Sequence, residues 1–139
     1  MSRKRLLPLA LGLAATLLPL AVAAAPTAAA TAATPRAAGW LVLTVNPGEA
    51  PTRDARSSTL TCDPIGGSHP KPTWSCRELK KAGGDPRRVD TGREEPCYLI
   101  YAPITVTARG VWNGRAISYQ ETFPNDCVLY LEKGELFRF

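Results

Sequence analysis

Four cysteines constrain this 139-residue chain more than any other feature: Cys62, Cys76, Cys97 and Cys127. Their meaning depends on the compartment they reach, and the start of the chain speaks to that. Ser2-Arg3-Lys4-Arg5 is a basic opening, Leu6 to Leu20 is a short apolar run, and Ala21-Val22-Ala23 and Ala23-Ala24-Ala25 both offer a small-x-small cleavage pattern. Residues 1–23 read as a secretory signal peptide cut near 23–25, because the apolar run falls short of the ~20 residues that a spanning helix needs. In an oxidising compartment an even cysteine count reads as two disulfides, with three connectivities open. Pairing neighbours along the chain closes loops of intermediate length, each worth about 3–4 kcal/mol in the chain-entropy picture.

Export also changes the charge. The chain has 17 Lys+Arg against 12 Asp+Glu, but Arg3, Lys4 and Arg5 leave with the signal, so 14 remain against 12 and the net charge is +2. Both signs are interspersed, which gives no nucleic-acid footprint, and removal of the signal leaves no membrane partner. Residues 24–38 are Ala, Thr and Pro with nothing to anchor a core, and read as a disordered arm. Residues 39–139 are then one domain with a modest core.

Within that domain, Trp40 to Val45 has the content of a buried strand, ended by Asn46-Pro47-Gly48, and Ser58 to Cys62 reads as a second strand. Asp63 to Thr73 is Pro- and Gly-rich and reads as a loop. A short helix is expected over Ser75–Ala82, with Ser75 as N-cap, Glu78 completing a capping box and Gly83-Gly84 as the stop. Ile104, Val106 and Ala108 alternate with polar residues up to Asn113-Gly114, a type I′ turn signal, and Ile117, Tyr119 and Phe123 continue one face of a return strand that Glu121 interrupts. Leu136–Phe139 offers a short terminal strand. Hairpins without a βαβ repeat indicate an α+β class with an antiparallel sheet.

Catalysis finds little support. His69 is the one histidine, no Gly-x-Ser-x-Gly elbow or paired acidic motif stands out, and the even cysteine count argues against a free thiol nucleophile. The Cys62-x6-His69-x6-Cys76 spacing matches no short zinc knuckle. Neither an enzyme nor a metal or cofactor site is expected. The remaining candidate is Glu94 to Pro103, where Tyr98-Leu99-Ile100-Tyr101 is bracketed by Pro96 and Pro103 beside Cys97. Composition leaves a buried strand and an exposed ligand segment equally open, although both prolines disfavour ladder pairing.

Several motifs resemble the Streptomyces subtilisin inhibitor family. They are Cys62-Asp63-Pro64-Ile65-Gly66-Gly67-Ser68-His69-Pro70 followed by Cys76 and Leu79; Gly83-Gly84-Asp85, then Cys97, Leu99, Ile100, Tyr101 and Pro103; Gly110-Val111-Trp112-Asn113-Gly114, with Ser118-Tyr119, Phe123, Asn125 and Cys127; and Phe137-x-Phe139. The resemblance runs from about Leu41 to Phe139. It implies a five-stranded antiparallel sheet with two short helices, disulfides Cys62–Cys76 and Cys97–Cys127, and a homodimer formed through the sheet. It implies no enzyme activity but inhibition of secreted, subtilisin-like and chymotrypsin-like serine proteases. In that reading Pro96, Cys97, Tyr98, Leu99, Ile100 and Tyr101 form the protease-binding loop, Leu99–Ile100 is the reactive bond and Asn125 buttresses the loop. Leu99 then takes the P1 place, and Tyr98 stands at P2 where the family commonly has proline. The alternative is an inhibitor scaffold that serves as a binding or protective partner of an exported protease without tight inhibition.

Overall fold

Alternation shapes the first strand, β1 (Gly39–Pro47). Leu41, Leu43 and Val45 turn to one side and are buried, whereas Trp40 and Val42 on the other are 39 % and 38 % exposed. The strand is therefore covered on one face only, not throughout as its composition suggested. It lies at the centre of an antiparallel sheet, between β2 (Arg56–Cys62) and β3 (Ile104–Trp112), and β4 (Arg115–Phe123) follows outside β3. The computed structural model describes residues 38–139; the expected signal peptide, and the expected arm up to residue 37, lie outside the described residues.

The β3–β4 turn is the two-residue loop that Asn113-Gly114 signalled, with positive φ at both residues, 47° and 79°, the geometry that matches the twist of a hairpin. It sets the register, pairing Ala108 with Tyr119 and Ile104 with Phe123, so that Tyr119 and Phe123 face the core. Glu121 does not break this face. Its Oε2 accepts the Tyr119 hydroxyl at 2.5 Å, and it faces the Lys133 ammonium at 4.0 Å.

The resemblance implied five strands; four form among the described residues. Residues 89–103 build no ladder, and Pro96 and Pro103 each lack the backbone donor a ladder needs.

Two helices cover the buried face. α1 (Pro72–Lys81) begins before the expected Ser75, because Pro72 occupies the first turn, where its fixed φ suits a helix and its missing N–H costs nothing. Ser75 caps nothing and lies buried within the helix, and Glu78 binds Arg77 and Lys81 instead of closing a capping box. The end follows the glycines. The Gly84 N–H reaches the Leu79 carbonyl at 2.7 Å and the Gly83 N–H reaches that of Lys80 at 3.1 Å, with Gly83 at φ 63°, which is a Schellman closure. Gly84 also passes so close to Trp112 that a Cβ there would lie 2.0 Å from the indole Cγ.

α2 (Asp126–Lys133) follows β4, and Leu129 sits beneath it in the core. After Gly134 the chain turns back, with Leu136 and Phe137 buried. The expected terminal strand is thus a turn, closed by the Leu136 and Arg138 N–H groups on the carbonyls of Lys133 and Glu135. These side chains serve the core without needing a neighbouring strand. The core joins Leu41, Leu43, Val45, Leu60, Val106 and Ala108 from the sheet to Cys76, Leu79, Leu129 and Phe137 above it.

Candidate functional site

Between the 3₁₀ turn at Pro86–Arg88 and β3, the chain runs over the surface without regular structure. Here Leu99 is 100 % exposed, and Ile100 and Tyr101 are 65 % and 66 % exposed. Fully exposing a leucine forgoes roughly 1.5–3 kcal/mol of burial, so four large apolar residues presented in succession point to a surface that meets a partner.

The segment is held from both sides. Cys97 is bonded to Cys127 in the first turn of α2, with Cα atoms 5.7 Å apart, and the other bridge joins Cys62 to Cys76. Asn125, 3 % exposed, is the N-cap of α2: its Oδ1 accepts the Val128 N–H at 3.0 Å. That bond fixes the amide, so its Nδ2 faces the loop and donates to the carbonyls of Tyr98 at 3.1 Å and Ile100 at 2.9 Å. One side chain thus caps a helix and holds the main chain on both sides of Leu99. Beyond it, the Ala102 N–H reaches the Pro124 carbonyl at 2.9 Å, and the Gly48 N–H reaches that of Pro103 at 2.7 Å.

Two further contacts had no signal in the sequence. The Tyr98 hydroxyl donates to Asp126, and the Tyr101 hydroxyl donates to Glu49 from the turn after β1. The second bond pushes the Tyr101 phenol above its ordinary pKa, since the carboxylate acceptor favours keeping the proton. Asp126 is one residue from Asn125, but Glu49 is 52 positions from Tyr101, beyond the reach of any periodicity. Upstream, the Arg93 guanidinium stacks over Tyr130 of α2 at 4.2 Å, and Arg138 lies over the same ring at 4.4 Å.

His69 is elsewhere and otherwise engaged. It is buried, its Nδ1 accepts the Lys71 N–H at 3.0 Å, and its Nε2 lies 3.1 Å from the Leu136 carbonyl. These partners make it a neutral clasp between the loop after β2 and the C-terminal turn. Burial lowers its pKa, against the smaller opposing effects of Leu136 and Glu135. Trp112 is buried and Trp74 packs against the core.

This architecture defines a class: a small disulfide-stapled binding domain that presents a braced main-chain segment, with no chemistry required of its own side chains. The chain belongs to the subtilisin inhibitor-like family, whose model matches residues 37–125. It is 42 % identical over 134 residues to a subtilase-type protease inhibitor of Streptomyces coelicolor, covering 93 % of each chain. It is 40 % identical over 124 residues to a trypsin inhibitor of Streptomyces longisporus, covering 87 % of this chain and 86 % of that one. Among solved structures it resembles sermetstatin of Streptomyces caespitosus, crystallised in complex with Bacillus licheniformis subtilisin. That likeness has a TM-score of 0.57 at 32 % identity, and spans 72 % of this chain and 97 % of the other.

Proposed function

We propose that this protein inhibits subtilisin-like serine proteases by presenting Leu99–Ile100 as a substrate-like reactive bond. The observation that carries this reading is a fully exposed Leu99 between two carbonyls held by one buried amide, Asn125. A protease that clamps a flexible peptide must order it, whereas this segment is ordered beforehand by Cys97–Cys127, Asn125 and the Ala102–Pro124 bond. If the bond is cut, the new amine stays tethered beside the acyl-enzyme and religation competes with release. Leucine at P1 suits an apolar, roomy S1 pocket, as in subtilisin- and chymotrypsin-like enzymes, and not the aspartate-floored pocket of a trypsin-like one.

The same reading takes residues 1–23 as a signal peptide, 24–38 as an arm and 39–139 as the inhibitory domain, which acts outside the cell. It also takes the protein as a homodimer through the outer sheet face, where Trp40 and Val42 lie exposed on β1.

Titration of active-site-counted subtilisin with the mature protein tests the function. A linear loss of activity to a one-to-one endpoint is expected. Rapid cleavage between Leu99 and Ile100 without accumulation of a complex would instead make the protein a binding or protective partner.

A further inference from the structure

Proline at P2 would fix one backbone torsion beside the reactive bond; Tyr98 at that place fixes none. Side-chain contacts hold it instead. Tyr98 donates its hydroxyl to Asp126, and Tyr101, on the far side of Leu99–Ile100, donates its own to Glu49. Tyr98 is thereby only 48 % exposed, against 100 % for Leu99 next to it. Three consecutive residues at the head of α2 then grip the loop in three different ways: the Asn125 side chain holds two of its main-chain carbonyls, Asp126 accepts the Tyr98 hydroxyl, and Cys127 is bonded to it covalently. Glu49 provides the opposite anchor, beside the Gly48 N–H that holds Pro103.

We infer that Asp126 and Glu49 are positioning residues for the reactive bond, each bracing a tyrosine of the loop, and that the Tyr98–Asp126 strut replaces the stiffness a P2 proline would give. The inference rests on the proposed inhibition through Leu99–Ile100. A tyrosine side chain has only two torsions to lose, so a bond at its tip orders it and the main chain that carries it at modest entropic cost. The acceptor is a carboxylate, which strengthens the bond relative to a neutral pair. Because these bonds lie at the surface, water offsets part of their strength.

The test is a double-mutant cycle on the mature protein, reading the subtilisin inhibition constant and the rate of Leu99–Ile100 cleavage in the complex. Tyr98→Phe and Asp126→Ala should each weaken inhibition and speed cleavage by about three- to tenfold, as loss of a partly exposed charge-assisted bond implies. The double variant should be no worse than either single one, and Asp126→Asn, which keeps an acceptor, should retain most of the effect. Tyr101→Phe with Glu49→Ala should behave alike. Wild-type values for Tyr98→Phe, or fully additive losses in the cycle, would overturn the inference; should Asp126→Ala fail to fold, Tyr98→Phe decides alone. Leu99→Lys, run in parallel, separates the two readings. If it changes inhibition of neither subtilisin nor trypsin, the reactive-bond assignment itself is wrong; if it weakens subtilisin inhibition or gains trypsin inhibition while the struts prove neutral, only the struts are.

Discussion

The Nδ2 of Asn125 lies 2.9 Å from the carbonyl oxygen of Ile100, while the Oδ1 of the same side chain caps α2 through Val128. Helix and loop are thus coupled through one amide, and a substitution can separate its two duties. Asn125→Asp keeps the capping oxygen, and aspartate is as good an N-cap as asparagine, but it removes the donor and sets a carboxylate against two carbonyls. The helix should remain capped, while a buried carboxylate facing two carbonyls lowers thermal stability. The lost pair of bonds, worth about 0.5–1.5 kcal/mol each, should weaken subtilisin inhibition by roughly ten- to a hundredfold and speed loop cleavage. An unchanged inhibition constant would show that the two carbonyls need no brace.

Leu99 offers a cleaner separation of fold from function. With its side chain wholly exposed, replacement should move stability by no more than about 0.5 kcal/mol. Leu99→Lys should lose the roughly 1.5–3 kcal/mol that a buried leucine contributes in an apolar S1 pocket and gain inhibition of trypsin. Leu99→Glu should lose the first without gaining the second. Parallel titrations of subtilisin and trypsin decide it, and indifference of both enzymes to both variants would remove Leu99 from P1.

How far the sequence discloses this design differs by element. The β3–β4 hairpin was legible because Asn113-Gly114 admits few other conformations and Val106, Ala108, Tyr119 and Phe123 keep a two-residue period. The start of α1 was misread because Ser75 and Glu78 fit a capping pattern that Pro72, at N1, pre-empts. Leu136 and Phe137 looked like a strand because a short apolar stretch does not declare its conformation. Composition leaves the loop open to opposite interpretations, since Tyr98 to Tyr101 is as apolar as a core strand. Asp126 and Glu49 left no trace, because their bonds to tyrosine depend on tertiary approach alone.

Gly84 joins the end of α1 to the sheet. Its φ is +83°, and a Cβ would meet three atoms of the Trp112 ring at 2.0 to 2.5 Å. Trp112 is buried at the end of β3, so it has little room to retreat. Gly84→Ala should therefore combine backbone strain with overpacking and cost about 2–4 kcal/mol, read by urea denaturation. Gly92, also at positive φ but with open space around it, provides the control: Gly92→Ala meets only the backbone penalty, about 1 kcal/mol. Equal losses at the two sites would mean that Trp112 yields.

Acid should loosen the clasp made by His69. Neutral imidazole satisfies both contacts, with Nδ1 accepting from Lys71 and Nε2–H donating to Leu136. Protonation turns Nδ1 into a donor facing another donor, and charges a ring that is 3 % exposed. Burial holds the folded-state pKa below the ordinary 6.5. The unfolded chain therefore binds the proton first as pH falls, and stability declines with falling pH in that interval. The contribution is complete above pH ~6.5 and is lost progressively below it, towards the folded-state pKa, before most carboxylates begin to titrate near pH ~4. Thermal midpoints measured from pH 8 to pH 5 should fall for the wild type. His69→Gln, which keeps polar atoms but cannot titrate, should start lower and remain nearly level. A parallel decline of both proteins would place the acid sensitivity at another group.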